Sequence, residues 1–125
     1  MKIKPFTFTD TVLTEISETD FAEKWPVVYF IHNDKEAYIG ETTNILLRVA
    51  QHRKNPERIS LNKIYVITDK MFNKSAIMDI ESQLIKYVAA DGKFKLQNLN
   101  SGLQNHNYYQ KDTYEKMFRE LWKDL

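Results

Sequence analysis

The sequence predicts an α/β domain: a small α+β sandwich with a central three-stranded, mostly antiparallel sheet flanked by helices. Three observations carry this expectation. Val27-Val28-Tyr29-Phe30-Ile31 and Ile64-Tyr65-Val66-Ile67 are β-branched and aromatic runs of strand length. Ala37-Tyr38-Ile39 follows the first run across the turn cluster Asn33-Asp34-Lys35, so Val27 to Ile39 has the pattern of a hairpin. Two further segments, ending near Lys54 and Ala90, carry apolar residues at helical spacing. The resulting order, β-β-α-β-α and then a tail, is that of a layered α/β fold.

Taken in order, Phe6 to Phe8 alternates weakly and reads as a short extended piece. Asp10 to Trp25 is mixed; Asp20 can cap a short helical turn, and Pro26 ends it by disfavouring helical backbone at Trp25. After the hairpin comes Gly40, and then Glu41-Thr42-Thr43-Asn44, where a Thr or Asn can cap a helix that Asn55-Pro56 stops. Asn73 or Ser75 can cap the longer helix, with Gly92 as its C-terminal cap. Phe94 to Leu99 reads as extended, Asn98 to Asn107 as loop, and Thr113 to Leu125 as a helix with Phe118, Leu121 and Trp122 on one side. That helix ends without a capping Gly, as expected of a chain leading into a further domain. The expected division is an N-terminal extension over 1–24, the domain proper over 25–110 and a C-terminal helix over 111–125.

The 125 residues, 42% of them hydrophobic, suffice for one core. With no Cys, disulfides and thiolate metal sites are excluded. No apolar run approaches the roughly 18 residues of a bilayer span, and Met1 to Asp10 lacks the core of a signal peptide. A soluble, cytoplasmic protein with no membrane partner is therefore expected. The net charge of +1 is a weak footprint for a nucleic-acid binder, so positive charge must be concentrated locally or affinity must come from elsewhere. Glycines are too scattered for a phosphate loop, the three His lack zinc spacing, and no Ser lies in a nucleophile elbow.

Two helices place polar groups where packing alone would not. In the longer one, Ile77, Ile80, Leu84, Tyr87 and Val88 form an apolar arc, widened by Met78 and Ile85, while Asp79, Ser82, Gln83 and Lys86 take the opposite face. Glu81 falls near the middle of the apolar arc. It either sits at the core edge, tilting to solvent or pairing with Arg48 or a Lys, or it holds a cation. After Gly40, residues Glu41, Arg48 and His52 share a stripe beside Ile45, and Arg53 and Lys54 point elsewhere. Arg48 and His52 are one turn apart: a phosphate clamp beside a proton carrier, or an ordinary solvated pair. Tyr29 and Tyr38 lie on the paired strands, as packing residues or as hydroxyls aimed at a reacting water or at phosphate. Gly40 is a strand-to-helix turn or a place of close backbone approach to a ligand.

In order and spacing these positions resemble the GIY-YIG nuclease superfamily over about Trp25 to Leu103. The first triplet of that family ends in Tyr, here Tyr29, and the second, Tyr38-Ile39-Gly40, begins nine residues on. Arg48 follows Gly40 by eight residues, and His52 comes one turn later. Glu81 matches the single metal-binding Glu, and Asn98 the later Asn, with Asn100 close enough to compete. Two departures stand out: Val27-Val28 replaces the Gly and Ile of the first triplet, and Glu41 stands where some members carry Lys.

The resemblance implies a metal-dependent endonuclease that hydrolyses phosphodiester bonds in nucleic acid, DNA ahead of RNA, by a one-metal mechanism. Glu81 would hold one Mg²⁺ or Mn²⁺, Arg48 would meet the phosphate, and Tyr29 with His52 would handle the proton of the attacking water. Tyr38 would hydrogen-bond the phosphate, Gly40 would lie against the substrate, and Asn98 would brace the site. A looser resemblance, over Leu96 to Tyr109, is to nuclease domains that precede a helicase-like P-loop NTPase in larger bacterial proteins. The alternatives are a catalytically silent module of the same fold, binding nucleic acid or protein, and an interaction module using Tyr108 and Tyr109.

Overall fold

The central strand of the protein is buried along its whole length, and the other elements are arranged around it. The computed structural model describes residues 1–98. This strand, β2 (Val27–His32), is buried at all six positions. It is flanked by β3 (Glu36–Thr42) and β4 (Lys63–Thr68), both antiparallel to it. Outside these lie β1 (Lys2–Thr7), antiparallel to β4, and the two-residue β5 (Lys95–Leu96), parallel to β3. The spatial order is β1-β4-β2-β3-β5.

The sheet is thus mostly antiparallel, as expected, but among the described residues it has five strands rather than three. Only the end of β1 shows in the sequence, as the extended piece Phe6 to Phe8, because it is an edge strand interrupted by Pro5, which an edge tolerates. β5 lies within Phe94 to Leu99, which reads as extended, but its two residues are too few to mark a sheet strand. Residues 1–24, set apart as an extension, supply β1 and the helix α1 (Val12–Ser17), which precedes a turn over 20–24. Arg53 fastens this segment to the domain: its guanidinium bonds Asp10 at 2.5 Å and lies 5.0 Å from the centre of the Phe8 ring.

Because side chains alternate along a strand, β2 serves two cores. Val27, Tyr29 and Ile31 meet α1 and α2 (Ile45–Arg53) on one face, with Val12, Ile16, Ile45 and Val49. Val28 and Phe30 meet α3 (Lys74–Asp91) on the other, with Ile77, Ile80 and Leu84. The result is three layers: α1 and α2, the sheet, and α3.

The helix ends follow the residues expected to cap them. Asn44 accepts the Leu47 N–H at 3.2 Å and Asn73 accepts the Ala76 N–H at 2.8 Å, each satisfying a donor that the first turn leaves open. α3 stops at Gly92, whose φ of 77° is readily adopted only by a residue without Cβ. The hairpin turn is held by Asn33, whose Oδ1 accepts from the N–H groups of Lys35 and Glu36, both at 2.7 Å. The polar face of α3 is partly buried: Asp79 and Ser82 are enclosed there, and Asp79 accepts a 2.7 Å bond from Gln83 one turn on. Asn100, Tyr108, Tyr109 and the helix expected over 113–125 lie outside the described residues.

Candidate active site

The site is built around a contact that only glycine permits. Tyr29 on β2 and Gly40 on β3 are directly opposed, both facing α2. A Cβ on Gly40 would collide with Cζ and Oη of Tyr29, so the absent side chain is the space in which the phenol ring lies. Gly40 is therefore inside β3, not at a strand-to-helix turn, because the β2–β3 ladder continues to Val27 and Thr42. The same extension places Glu41 on the strand rather than on the α2 stripe.

Held this way, the fully buried Tyr29 reaches α2. Its hydroxyl lies 2.8 Å from Nε2 of His52. Tyr38 stacks nearly parallel to Tyr29, with ring centres 6.3 Å apart, and its ring lies 4.6 Å from that of His52. Arg48, exposed and one turn before His52, reaches the Tyr29 hydroxyl and favours its anion by charge and by hydrogen bonding.

Burial nevertheless dominates, and with the neighbouring Tyr38 it pushes the Tyr29 pKa up. His52 is driven the other way, to about 4, by burial and by the positive charges of Arg58 and Arg48. Both groups are neutral at pH 7. In the tautomer that carries its proton on Nδ1, Nε2 accepts from the hydroxyl.

Glu81, on α3, is 8% exposed, so the acid predicted to interrupt an apolar arc is indeed buried. Its carboxyl accepts the Glu41 backbone N–H, which ties α3 to β3. Burial and the Glu41 carboxylate raise its pKa to about 7, against the opposing pull of Lys74 and Arg48. Lys74 is itself paired with Glu41 at 2.5 Å. Charge on Glu81 and on Arg48 is felt at Tyr29, so the three share one electrostatic environment.

Asn98 joins from the sheet edge. Its Oδ1 accepts the Ile39 N–H at 3.2 Å and its Nδ2 donates to the Ile39 carbonyl, as a paired strand residue would. It touches the backbone between Tyr38 and Gly40 rather than any reacting position. Its place is that of a brace.

Arg58 was not singled out in the sequence. It is 8% exposed, its guanidinium carbon lies 4.0 Å from the centre of the Tyr38 ring, and it pairs with the exposed Glu57 at 3.1 Å. Its Nε is buried without a partner. Lying in the loop after Pro56, it has no periodic pattern to reveal it; the one available signal was a further Arg ten residues beyond Arg48, past Arg53.

Among the described residues no three His, Asp or Glu side chains form a preformed metal site. The donors present still suit a hard cation. Glu81 and Glu41 offer oxygen only, and Glu81 is raised by burial and a like charge, both of which a bound cation would offset. Mg²⁺ and Mn²⁺ are commonly held by one or two carboxylates with water and phosphate completing the shell. Comparison with protein-family models, with curated proteins and with solved structures finds no match to this chain.

Proposed function

We propose that the chain is a metal-dependent endonuclease of the GIY-YIG kind, acting on nucleic acid and on DNA before RNA. The observation that carries this is the Tyr29–His52 hydrogen bond of 2.8 Å, with Arg48 at its phenol end and Glu81 in the same field. Packing does not require a buried proton-transfer pair beside an exposed guanidinium. Phosphodiester hydrolysis uses both.

In this mechanism Arg48 binds a non-bridging phosphate oxygen and stabilises the charge that grows there. Tyr29 accepts a proton from the attacking water as it passes its own proton to Nε2 of His52. The phenol stays neutral throughout, in keeping with its buried position. His52 in the free protein is a poor base, because Arg58 and Arg48 oppose its protonation. An arriving phosphodiester anion offsets those two charges, so substrate itself raises the basicity of the acceptor. Tyr38, stacked between Arg58 and the Tyr29–His52 pair, orients its hydroxyl toward the phosphate. Glu81, with Glu41 beside it, would hold one Mg²⁺ or Mn²⁺, which when bound acidifies water and relieves charge on the phosphoryl oxygens. We further propose that a helicase-like NTPase domain accompanies this one in the full-length protein and delivers its substrate.

The test is nicking of supercoiled plasmid, with a single-stranded RNA arm, in Mg²⁺, in Mn²⁺ and in EDTA. Cleavage is expected only with the cation and is expected to vanish in Glu81→Ala with the circular dichroism spectrum unchanged. Wild-type rates in that variant would overturn the proposal. A second reading, a silent binding module, draws on the Lys74–Glu41 ion pair, since the ammonium already supplies positive charge next to Glu81. Binding of the same DNA without cleavage under any cation would favour it.

A further inference from the structure

A cavity lies on the other side of the sheet from Tyr29, about two turns of α3 beyond Glu81. It is lined by Phe30, His32, Tyr65, Val88 and Phe94, with Asp91 and Lys93 also on its wall, and has a volume of about 280 Å³. That is near the lower end of ligand-binding cavities and suits one small ring system.

Four rings shape this space. His32 stacks on Tyr65 with centres 5.1 Å apart and meets Phe30 and Phe94 edge-on at 5.1 and 5.5 Å. Phe30 and Phe94 meet edge-on at 5.5 Å. His32 is 9% exposed, and its Nδ1 donates to the Asn33 carbonyl at 3.3 Å. That bond fixes the tautomer, leaving Nε2 as a bare acceptor, and Nε2 is buried without a partner. Burial keeps the ring neutral, with Lys63 and Lys93 acting in the same direction and Asp34 against them. A buried acceptor without a donor is costly and uncommon, which singles out this wall.

We propose that this cavity is a ligand site for a flat nitrogen heterocycle of nucleobase size, whose ring N–H donates to His32 Nε2 once the imidazole edge, closed off in the free protein, swings toward the cavity. Planar walls select a planar ring, and the single acceptor selects a ring with a donor. Lys93, whose ammonium lies 5.2 Å from the centre of the Phe94 ring, stands where a polar or anionic substituent would emerge. The site does not share the Tyr29–His52 face, so it binds a separate small molecule.

The probe is benzimidazole, the purine skeleton without its two six-ring nitrogens, compared with 1-methylbenzimidazole, which has no donor. Titration of the whole chain by calorimetry and by ligand-observed NMR is expected to show benzimidazole binding, with the methylated probe at least tenfold weaker. His32→Phe removes the acceptor and Val88→Phe fills the cavity without touching His32. Each is expected to abolish binding while thermal melting shows a folded protein. No benzimidazole binding at millimolar concentration would overturn the proposal. So would equal affinity for the two probes, a result that needs only the wild-type chain, or unchanged binding in both variants.

Discussion

At the Tyr29–His52 hydrogen bond both partners are held in their neutral forms by burial, and at Glu81 burial acts on an acid with the opposite consequence for stability. His52 is lowered from 6.5 to about 4, so the unfolded chain binds more protons between those values. Its contribution is present above pH 6.5 and lost as pH falls through 4. Glu81 is raised from 4.5 to about 7, so the folded chain binds more protons in that window. Its contribution is present below pH 4.5 and lost as pH rises through 7. Each is worth roughly 2–3 kcal/mol, and in wild type the two slopes largely cancel between pH 5 and 6. Urea unfolding across pH 4 to 8 is expected to separate them. Glu81→Gln should leave stability rising with pH, and His52→Gln should leave it falling. Arg58 gives a second prediction here. Arg58→Met keeps the packing on Tyr38 but removes a charge that opposes the imidazolium, so the His52 pKa read by NMR should rise by about one unit. An unmoved value would remove Arg58 from the site.

Among the elements, β2, β3 and β4 and the two longer helices were legible because each repeats a physical requirement along its length. Runs of β-branched and aromatic residues mark strands with two faces to fill, and the Asn caps mark where helix N–H groups lose their partners. β1 and β5 were legible only in part: Phe6 to Phe8 and Phe94 to Leu99 read as extended, but neither showed as a strand of the sheet, one being broken by Pro5 and one two residues long. At the site, Tyr29, Tyr38, Arg48, His52 and Glu81 were visible as a spaced set. The role of Gly40 was not, because it depends on the register that sets Tyr29 opposite it. Nor was Arg58, whose neighbours come from tertiary packing alone. Register also makes Gly40→Ala informative. The new methyl must displace the Tyr29 ring, costing about 1–3 kcal/mol in chemical denaturation. It should break the contact with His52 and reduce nicking by two orders of magnitude or more. A fully active Gly40→Ala protein would show that the ring position is not needed.

For the molecule as a whole, charge is the deciding quantity. The chain carries 18 Lys and Arg against 17 Asp and Glu, and Lys74 and Arg53 are taken up in ion pairs. Arg48, and Arg58 with its exposed partner Glu57, are the described cations that face the proposed phosphate position. DNA binding in Ca²⁺, followed by fluorescence anisotropy, should therefore weaken with salt along a log–log slope of only about 2. A slope several times steeper would reveal a basic surface that the described residues do not present. No helix among those residues is long and apolar enough to cross a membrane. The clamp of Asn98 on Ile39 joins positions 59 apart in sequence, whereas Tyr29 and His52 are only 23 apart. During synthesis the proton-transfer pair has left the ribosome long before its brace and well before Glu81. On the proposed activity, a domain assembled in that order cannot cut nucleic acid while it is being made, because Glu81 and Asn98 are among the last of the described residues to emerge.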